Sequence, residues 1–405
     1  MNKTKKFLIA IALIALSLFG VNKWLNSGSL QPDNTVWYEY IGQDTTVGLW
    51  PDIYANYFAY TYYKTKDNIG LKIRGTFPNT RYLSFNVYNI KDKTTQGSLI
   101  DAEIIAQQSF EIDDQSKRKK YELNILPKKY AELDLENKLV FADDAKMFLV
   151  VMRLYDFNED NFGGVDLPSV QAYNLEMQDE FTPLRLPKGL NLRKFVSGPK
   201  IAKDIWFMYK SENLFPLDGP KDAKPNFKLP FYRIIGEGMI QNNDNLYLLS
   251  AVTKQENEVY ILKFKAPSFV QKTEDIEQTE VRYWSVNIGD DLSYDFNAIK
   301  DEDCMIDSSG YVTIVIGEES PAIRSKCETL GLNFMEWNIP RDKGYIIYRN
   351  MLSSADFEGN IINVPALKDT GIAAFTNKEA GNYIGEYAPV GYRISSQEFL
   401  KTITF

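Results

Sequence analysis

One seven-residue pattern occurs twice in this sequence, and it constrains the fold more than any other feature. The first copy is residues 81–87 (RYLSFNV) and the second is residues 282–288 (RYWSVNI), so five of the seven positions are identical or exchange valine for isoleucine. Its residues are aromatic, β-branched or small, which favours a β-strand. The repeat predicts a chain that is mainly β and that contains an internal duplication.

Side chains alternate between the two faces of a strand, so each copy has an apolar and a polar face. We expect the apolar face to meet a core and the polar face to be either a duplicated structural surface or the lining of a ligand cleft. In the second case the ligand-binding residues are the polar face with the arginine that opens each copy: Arg81, Tyr82, Ser84, Asn86, Arg282, Tyr283, Ser285 and Asn287.

Histidine is absent from all 405 residues, and this removes several kinds of site. The chain cannot build a Ser-His-Asp triad, a Cys-His pair, a haem site with a proximal histidine or the usual catalytic zinc site. Two cysteines are too few for a Cys-only zinc site or a four-cysteine iron–sulfur cluster, and no glycine-rich phosphate loop is present. We therefore predict no metal and no cofactor. The net charge of −8 argues against a nucleic-acid partner.

The N-terminus has the pattern of an export signal. Three lysines precede an uncharged apolar run over residues 7–21, and we assign residues 1–26 to a signal peptide or an N-terminal membrane anchor. The run is short for a membrane span, whereas Lys23 and Trp24 directly after it suit an interfacial anchor. Both alternatives place the rest of the chain outside the cytoplasm, in the periplasm or at the cell surface. If the N-terminal segment is retained, it anchors the protein in the membrane. If it is cleaved, the protein is released from the membrane.

The remaining chain divides by composition into two halves. Residues 27–182 form a first β-rich domain, residues 183–230 a proline-rich connection with a short helix at 199–213, and residues 231–405 a second β-rich domain. The connection holds seven of the 17 prolines. The expected fold is two β-sandwich or jelly-roll-like halves with a few short helices.

Several local patterns predict individual elements. Aromatic residues at helical spacing predict a short helix within residues 50–63. Apolar runs predict strands at 147–155, 259–265 and 311–316, and residues 321–330 are predicted to be a short helix. Either 311–316 or 345–349 could be the second-half counterpart of the strand at 147–155.

Cys304 and Cys327 lie in a compartment that permits disulfides. We predict a bond between them, which would stabilise the fold by roughly 3 kcal/mol on the loop-entropy estimate. The alternative is two small buried thiols.

The second copy of the repeat is flanked by acidic residues. Paired carboxylates can hydrolyse glycosides without histidine, but a solvated acidic loop is the simpler interpretation. A calcium-like spacing also occurs at residues 156–164, although Asn161 and Leu167 stand where such a loop needs glycine and glutamate, which favours an ordinary turn. The acidic residues are Asp290, Asp291, Asp295, Asp301, Glu302, Asp303 and Asp307.

The stretches RYLSFNVY, RYWSVNIGD, CMIDSSGYVTIVIG and GYIIYRNML resemble an exported bacterial family of unknown function. A fainter similarity connects the chain to bacterial proteins that pair two β-rich domains of unknown function. The resemblance covers roughly residues 50–365. It implies membership of an uncharacterised family, and it supplies no catalytic residues to carry over to this chain.

Export, abundant aromatic residues, duplication and the lack of histidine together predict a non-enzymatic extracytoplasmic binding protein for a glycan or other envelope component. One alternative is a histidine-free, glycosidase-like hydrolase that uses carboxylates. A further alternative is a structural subunit of an envelope complex, and the oligomeric state stays open.

Overall fold

The computed structural model places most of the two β-rich halves. The predicted export signal, the predicted helix at 199–213 and most of the calcium-like loop lie outside the described residues. Where the structure describes the chain, it contains no helix with the length and apolar character needed to cross a membrane. The described residues are 37–41, 51–64, 66–89, 94–106, 119–157, 166–181, 227–233, 242–254, 256–270, 277–290, 295–366 and 379–402.

The chain divides into two compact units. Unit 1 comprises the residues up to Tyr40 together with Tyr57–Val196, and unit 2 comprises Ile41–Asn56 together with Ser197–Phe405. The short segment before Tyr57 thus belongs to unit 2, although the sequence analysis assigned it to the first domain.

Unit 1 contains two five-stranded sheets, with strand orders β1-β2-β8-β4-β5 and β10-β9-β3-β6-β7. A 3-10 turn at Lys128–Tyr130 lies between β6 and β7. The strands are β1 (Tyr38–Ile41), β2 (Ala55–Tyr63), β3 (Ile69–Thr76), β4 (Thr80–Asn89), β5 (Thr95–Ile100), β6 (Lys120–Pro127), β7 (Lys138–Phe141), β8 (Met147–Phe157), β9 (Ser169–Asn174) and β10 (Asp179–Phe181).

Unit 2 also contains two five-stranded sheets, with strand orders β12-β13-β19-β15-β16 and β11-β20-β14-β17-β18. Its strands are β11 (Phe227–Leu229), β12 (Tyr232–Arg233), β13 (Asn245–Thr253), β14 (Glu258–Lys265), β15 (Tyr283–Asp290), β16 (Asp295–Lys300), β17 (Tyr311–Gly317), β18 (Asn333–Glu336), β19 (Lys343–Met351) and β20 (Val390–Ser395). Its helices are α1 (Pro321–Leu330), α2 (Gly381–Ile384) and α3 (Ser396–Lys401), with 3-10 turns at Asp301–Asp303, Ile361–Asn363 and Gly385–Tyr387.

The two units share one topology. The eight consecutive strands β2 to β9 take the same places in unit 1 as β13 to β20 take in unit 2. In both units the edge pairs, β6 with β7 and β17 with β18, are parallel. The counterpart of β8 is therefore β19, and the strand at 311–316 corresponds to β6.

Each unit has a core that both of its sheets supply, which is a sandwich-like arrangement. In unit 1, Leu71 of one sheet and Phe85 of the other belong to the same buried cluster. In unit 2 the same holds for Leu262 and Trp284. Fully burying such a side chain stabilises the fold by roughly 1.5–3 kcal/mol. The mainly β prediction is confirmed, and the apolar face of each repeated strand lies in a core as expected.

The helix predicted within residues 50–63 is wrong, because Ala55–Tyr63 is strand β2. Phe58, Tyr60 and Tyr62 alternate into the core at a period of two. Tyrosine and phenylalanine favour strands, and pairing with β8 decides the conformation of a segment whose aromatic spacing suits both structures. The helix at 321–330 is confirmed: α1 begins with Pro321 and ends at Leu330. The next residue, Gly331, caps it with a φ of 66°, the left-handed conformation that glycine adopts easily.

The predicted disulfide is not formed, and both cysteines are free thiols. Cys304 packs against the core between the two sheets of unit 2. Cys327 lies on α1, in a separate cluster that includes Val259, Val315 and Ile394. These strand residues alternate with the ones that face the core, so the two cysteines pack on opposite faces of one sheet. Burial raises the pKa of the Cys327 thiol to about 11.

Candidate functional site

The structure buries the polar face of the repeated strand in both units. It brings each tyrosine, serine and asparagine of that face together around an arginine from the neighbouring strand. Arg282 is also buried and Arg81 is half-buried. The sequence analysis did not select the two central arginines, which end similar apolar runs, MFLVVMR and GYIIYR. The buried polar side chains are Tyr82, Ser84, Asn86, Tyr283, Ser285 and Asn287.

In unit 1 the central arginine is Arg153 of β8, which lies opposite Ser84. Its Nη1 donates to Asn86 Oδ1, and its Nη2 donates to the Tyr88 hydroxyl at 2.9 Å. The guanidinium carbon lies 5.6 Å from the centre of the Tyr57 ring and 5.8 Å from that of Tyr88. An amide and aromatic rings therefore hold this cation, through hydrogen bonds and cation–π contacts.

In unit 2 the central arginine is Arg349 of β19, which lies opposite Ser285. It forms an ion pair with Asp52, a residue just before β2 that belongs to unit 2. Asp52 Oδ2 also accepts from the Tyr283 hydroxyl at 2.9 Å, and Oδ1 accepts from the backbone N–H of Tyr54 at 3.0 Å. Asp52 and Arg349 are at most 1% exposed, so this is a fully buried charge pair.

A second carboxyl, Asp295, lies beside this pair. Asp295 is 2% exposed, and among the described residues neither of its oxygens has a hydrogen-bond partner. Burial raises the pKa of this carboxyl well above its usual range, and the charges of Asp52 and Asp290 act in the same direction. The Arg349 guanidinium opposes them by lowering it. The charges of Asp52, Asp290 and Arg349 therefore all act on the Asp295 carboxyl.

Asn287 is the amide of the same cluster. Its Oδ1 lies 3.0 Å from Ser285 Oγ, which also lies 2.8 Å from Asp52 Oδ2. Ser285 has a single hydroxyl proton, so it can donate to only one of them at a time. The Asn287 Nδ2 is buried and has no partner among the described residues, although rotating the amide would let it donate to Ser285. Rotating the Asp295 carboxyl would only exchange its two oxygens, and neither of them has a hydrogen-bond partner among the described residues.

Two equivalent positions distinguish the clusters. The register shifts after Val87 in unit 1 and after Ile288 in unit 2. Beyond the shift Tyr88 pairs with Thr95, whereas Gly289 pairs with Asp295. Unit 1 thus places a phenol where unit 2 has no side chain, and a neutral hydroxyl where unit 2 has a carboxyl.

The acidic segment that the sequence analysis selected has mixed roles. Asp301 is buried and structural, because its side chain accepts from the backbone N–H groups of Trp284 at 3.0 Å and Glu302 at 2.8 Å. Asp101 does the same in unit 1 with Leu83 and Ala102. No group of three or more carboxyl or thiol side chains in the described part of the chain is placed to hold a metal ion. Three of the acidic residues are exposed, Glu302, Asp303 and Asp307, and Asp291 lies outside the described residues.

A buried asparagine stabilises the parallel edge in each unit, and no sequence pattern indicated it. Asn137 donates to the backbone carbonyls of Ile105 and Glu122 and accepts from the N–H of Ile105. Asn333 makes the same three bonds, to Met305 and to the carbonyl of Thr313. These two asparagines have the same structural role in both units. The differences between the units lie around the buried arginines.

No family model matches this chain, and no curated protein matches it. The fold is similar to the crystal structure of an uncharacterised protein from Burkholderia cenocepacia, with a TM-score of 0.53 and 9% identity over 89% of this chain and 82% of that chain. A Vibrio parahaemolyticus protein is similar over 76% of this chain and 86% of that chain, with a TM-score of 0.39 and 12% identity. The Burkholderia likeness shows a shared fold, and both neighbours are bacterial.

Proposed function

We propose that this protein is an extracytoplasmic binding protein for a glycan or another envelope component, and that its ligand site is the buried polar cluster of unit 2. The observation that carries the proposal is the Asp295 carboxyl, which is buried with two unpartnered oxygens. Together with Asn287 and Arg349 it offers acceptors and donors within one small region.

A buried polar group without a hydrogen bond is costly, by about 1–3 kcal/mol for each unsatisfied group in proteins. A ligand that donates to Asp295 would recover this cost, whereas water outside the fold cannot. Sugar hydroxyls and amino groups are donors of this kind. The cluster therefore has the properties of a site that is completed by its ligand.

The comparison of the two units supports the same position. In unit 1 the Tyr88 hydroxyl already occupies the arginine, and Thr95 stands where unit 2 has Asp295. The ligand site is thus proposed for unit 2 alone, on a scaffold that unit 1 completes with its own side chains.

A titration on the full-length protein tests this proposal. Thermal unfolding and calorimetry with a panel of envelope saccharides should identify a ligand that stabilises the native protein. The variant Asp295→Val should lose this stabilisation, whereas Thr95→Val, at the equivalent position of unit 1, should keep it. A panel without any ligand would refute the proposal, and equal binding by Asp295→Val would move the site elsewhere.

One observation favours a second candidate, the carboxylate hydrolase. Burial raises the pKa of the Asp295 carboxyl, and it lies near Asp52, the ion-pair partner of Arg349. A protonated and an ionised carboxyl are the acid and the base or nucleophile of glycoside hydrolysis. Turnover of a chromogenic glycoside panel that is lost in both Asp295→Asn and Asp52→Asn would establish this function. A wild-type protein that binds saccharides without cleaving them would exclude it.

A further inference from the structure

We infer that Arg233 is the centre of a second binding site in unit 2, which takes an oxyanion, a carboxylate or a phosphate group, attached to an apolar body. Arg233 belongs to the edge strand β12, whereas Asp295 belongs to β16 at the opposite edge of the same sheet. The site is therefore separate from the ligand site proposed above, and either of them can fail without the other.

Two backbone carbonyls fix the guanidinium of Arg233. Its Nη1 donates to the carbonyl of Ile362 at 2.8 Å and to that of Val364 at 3.1 Å, and the contact with Ile362 lies at the surface. Both N–H bonds of Nη1 are thereby used, so Nε and Nη2 remain as donors. The Nε atom is buried and has no hydrogen-bond partner among the described residues. Nε and Nη2 form the edge with which an arginine binds two oxygens of a carboxylate or phosphate.

Two other arginines of unit 2 show how a carboxylate occupies this edge. Arg324 donates from Nε and Nη2 to the two carboxylate oxygens of Glu319. The Nε of Arg393 lies 3.0 Å from a carboxylate oxygen of Glu258. Arg233 presents the same edge without a carboxylate from the described part of the chain.

The electrostatic surroundings of Arg233 agree with this geometry. Glu319 raises the pKa of Arg324, whereas burial alone shifts the pKa of the half-buried Arg233 and lowers it. Glu379 lies at the same edge, but it pairs with Tyr232 and acts on that phenol. Successive side chains of a strand point to opposite faces, so Tyr232 and Arg233 diverge. An external anion would stabilise this cation, because charges withdrawn from water are stable only when they are paired.

Apolar side chains are exposed beside the guanidinium. Ile362, whose carbonyl accepts from Nη1, is 52% exposed. Helix α2 packs against the same turn, since Ile384 and Ile361 share one buried cluster, and Tyr383 of this helix is 41% exposed. An apolar body attached to the oxyanion would cover these side chains and remove their surface from water.

Calorimetry on the full-length protein with matched small ligands tests the inference. Hexanoate and hexyl phosphate carry the two oxyanions, hexanamide is the uncharged analogue of hexanoate, and acetate and inorganic phosphate lack the apolar body. We expect at least one hexyl anion to bind about tenfold or more tightly than hexanamide, because hydrogen bonds to charged groups are the stronger ones. The tighter of the two identifies the oxyanion. It should also bind more tightly than its small counterpart, and its affinity should fall as salt is added.

Two variants and one control locate the effect. Arg233→Gln removes the charge and should abolish the preference over hexanamide. Ile362→Ala keeps the carbonyl that holds Nη1, and it should weaken binding of the hexyl anion about threefold or more without changing that preference. Arg324→Gln should leave binding unchanged, because Glu319 already occupies that arginine. Thermal unfolding shows which variants are folded.

The outcomes separate this site from the one around Asp295. Hexanamide that binds as tightly as both hexyl anions, or no binding of either anion, would overturn the inference. Anion binding that survives Arg233→Gln, or that is the same in Ile362→Ala as in wild type, would also overturn it. If Arg233→Gln does not fold, the charge preference of wild type and the Ile362→Ala protein decide. Asp295→Val should bind the anion like wild type, so saccharide binding without anion binding would overturn this inference and leave the proposed function standing.

Discussion

Unit 1 and unit 2 each bury one arginine behind the repeated strand, and they satisfy its charge differently. Arg153 donates to an amide oxygen and a phenol hydroxyl between tyrosine rings. Arg349 is ion-paired with Asp52, which the tyrosine and serine of the repeat also contact. One strand pattern thus accompanies amide and phenol contacts to the arginine in one unit and an ion pair with a carboxylate in the other. The difference shows that RYxSxN specifies the scaffold, whereas the residues around it specify the charge.

The two units also differ in the sheet that does not contain the repeated strand, which is β10-β9-β3-β6-β7 in unit 1 and β11-β20-β14-β17-β18 in unit 2. The difference lies on the face of that sheet that points away from the core. In unit 1 that face is charged, and Arg74 bonds both Glu122 and Glu180. In unit 2 the helices α1 and α3 cover the face and bury residues such as Val259 and Ile394. A sheet face is therefore apolar where helices cover it and ionic where solvent reaches it.

The largest expected effect comes from removing the acceptor of unit 2. Asp52→Ala leaves the buried Arg349 without its carboxylate and Tyr283 without its acceptor, and it should cost about 3–5 kcal/mol of unfolding free energy. Asn86→Ala, which removes the amide acceptor of Arg153, should cost about 1.5–3 kcal/mol. Urea denaturation of both variants measures the difference. Equal losses would mean that the carboxylate of Asp52 and the amide of Asn86 contribute equally to the stability of their units.

The apolar faces of the two copies give the next comparison. Trp284 packs edge-on against Phe264 at 5.4 Å, and its indole N–H donates to the carbonyl of Pro267. Trp284→Ala should cost about 3–5 kcal/mol and Leu83→Ala about 2–5 kcal/mol, since each leaves a core cavity. Both variants should lower the melting temperature, and their effect on ligand binding at temperatures where they remain folded should be small. A fully stable Trp284→Ala protein would contradict the assignment of this face to the core.

A smaller difference is expected at the serines. Ser285→Ala removes a hydroxyl that bonds the charged Asp52, and it should cost about 1.5–3 kcal/mol. Ser84 lies 3.2 Å from the neutral Asn86 Oδ1, so Ser84→Ala should cost about 0.5–1.5 kcal/mol. Chemical denaturation of the two single variants resolves this difference. A larger loss at Ser84 would mean that Asp52 does not depend on the hydroxyl.

The smallest effect is expected on the ionic outer face of unit 1. The hydrogen bond from Arg74 lowers the pKa of Glu180 to about 2. A lowered pKa contributes stability above the unfolded value, near 4.3, and that contribution is lost as the pH falls towards 2. Glu180→Gln should therefore cost less than about 1 kcal/mol at neutral pH and nothing near pH 2. A cost that persists at pH 2 would show that the side chain acts through packing.

Much of the fold follows from local sequence. The parity of the repeated strand assigned Trp284 and Leu83 to cores, because alternation is a property of any strand. Pro321 and Gly331 bounded α1 through their own backbone preferences. The spacing of aromatic residues before Tyr63 could not distinguish a strand from a helix, because the deciding interaction is pairing with β8, far along the chain.

The candidate site was only half predictable for the same reason. The sequence identified Ser285 and Asn287, and Asp295 within an acidic segment, but no local pattern connects them to Asp52 or Arg349. Those partners come from distant positions that only the folded sheet brings together. The disulfide prediction failed likewise, because a spacing of 23 residues carries no information about which face of a sheet each cysteine occupies.

The position of Asp52 has a consequence for the time course of folding. It is 231 residues from Tyr283, its hydrogen-bond donor, and Arg349 is still further along the chain. At a synthesis rate of about 5–20 residues per second, Asp52 is made roughly 10–50 s before that donor exists. During this interval Asp52 lacks both Tyr283 and Arg349, so the buried cluster of unit 2 cannot form. Asp52 can therefore take its folded position only after β19, which carries Arg349, has been synthesised.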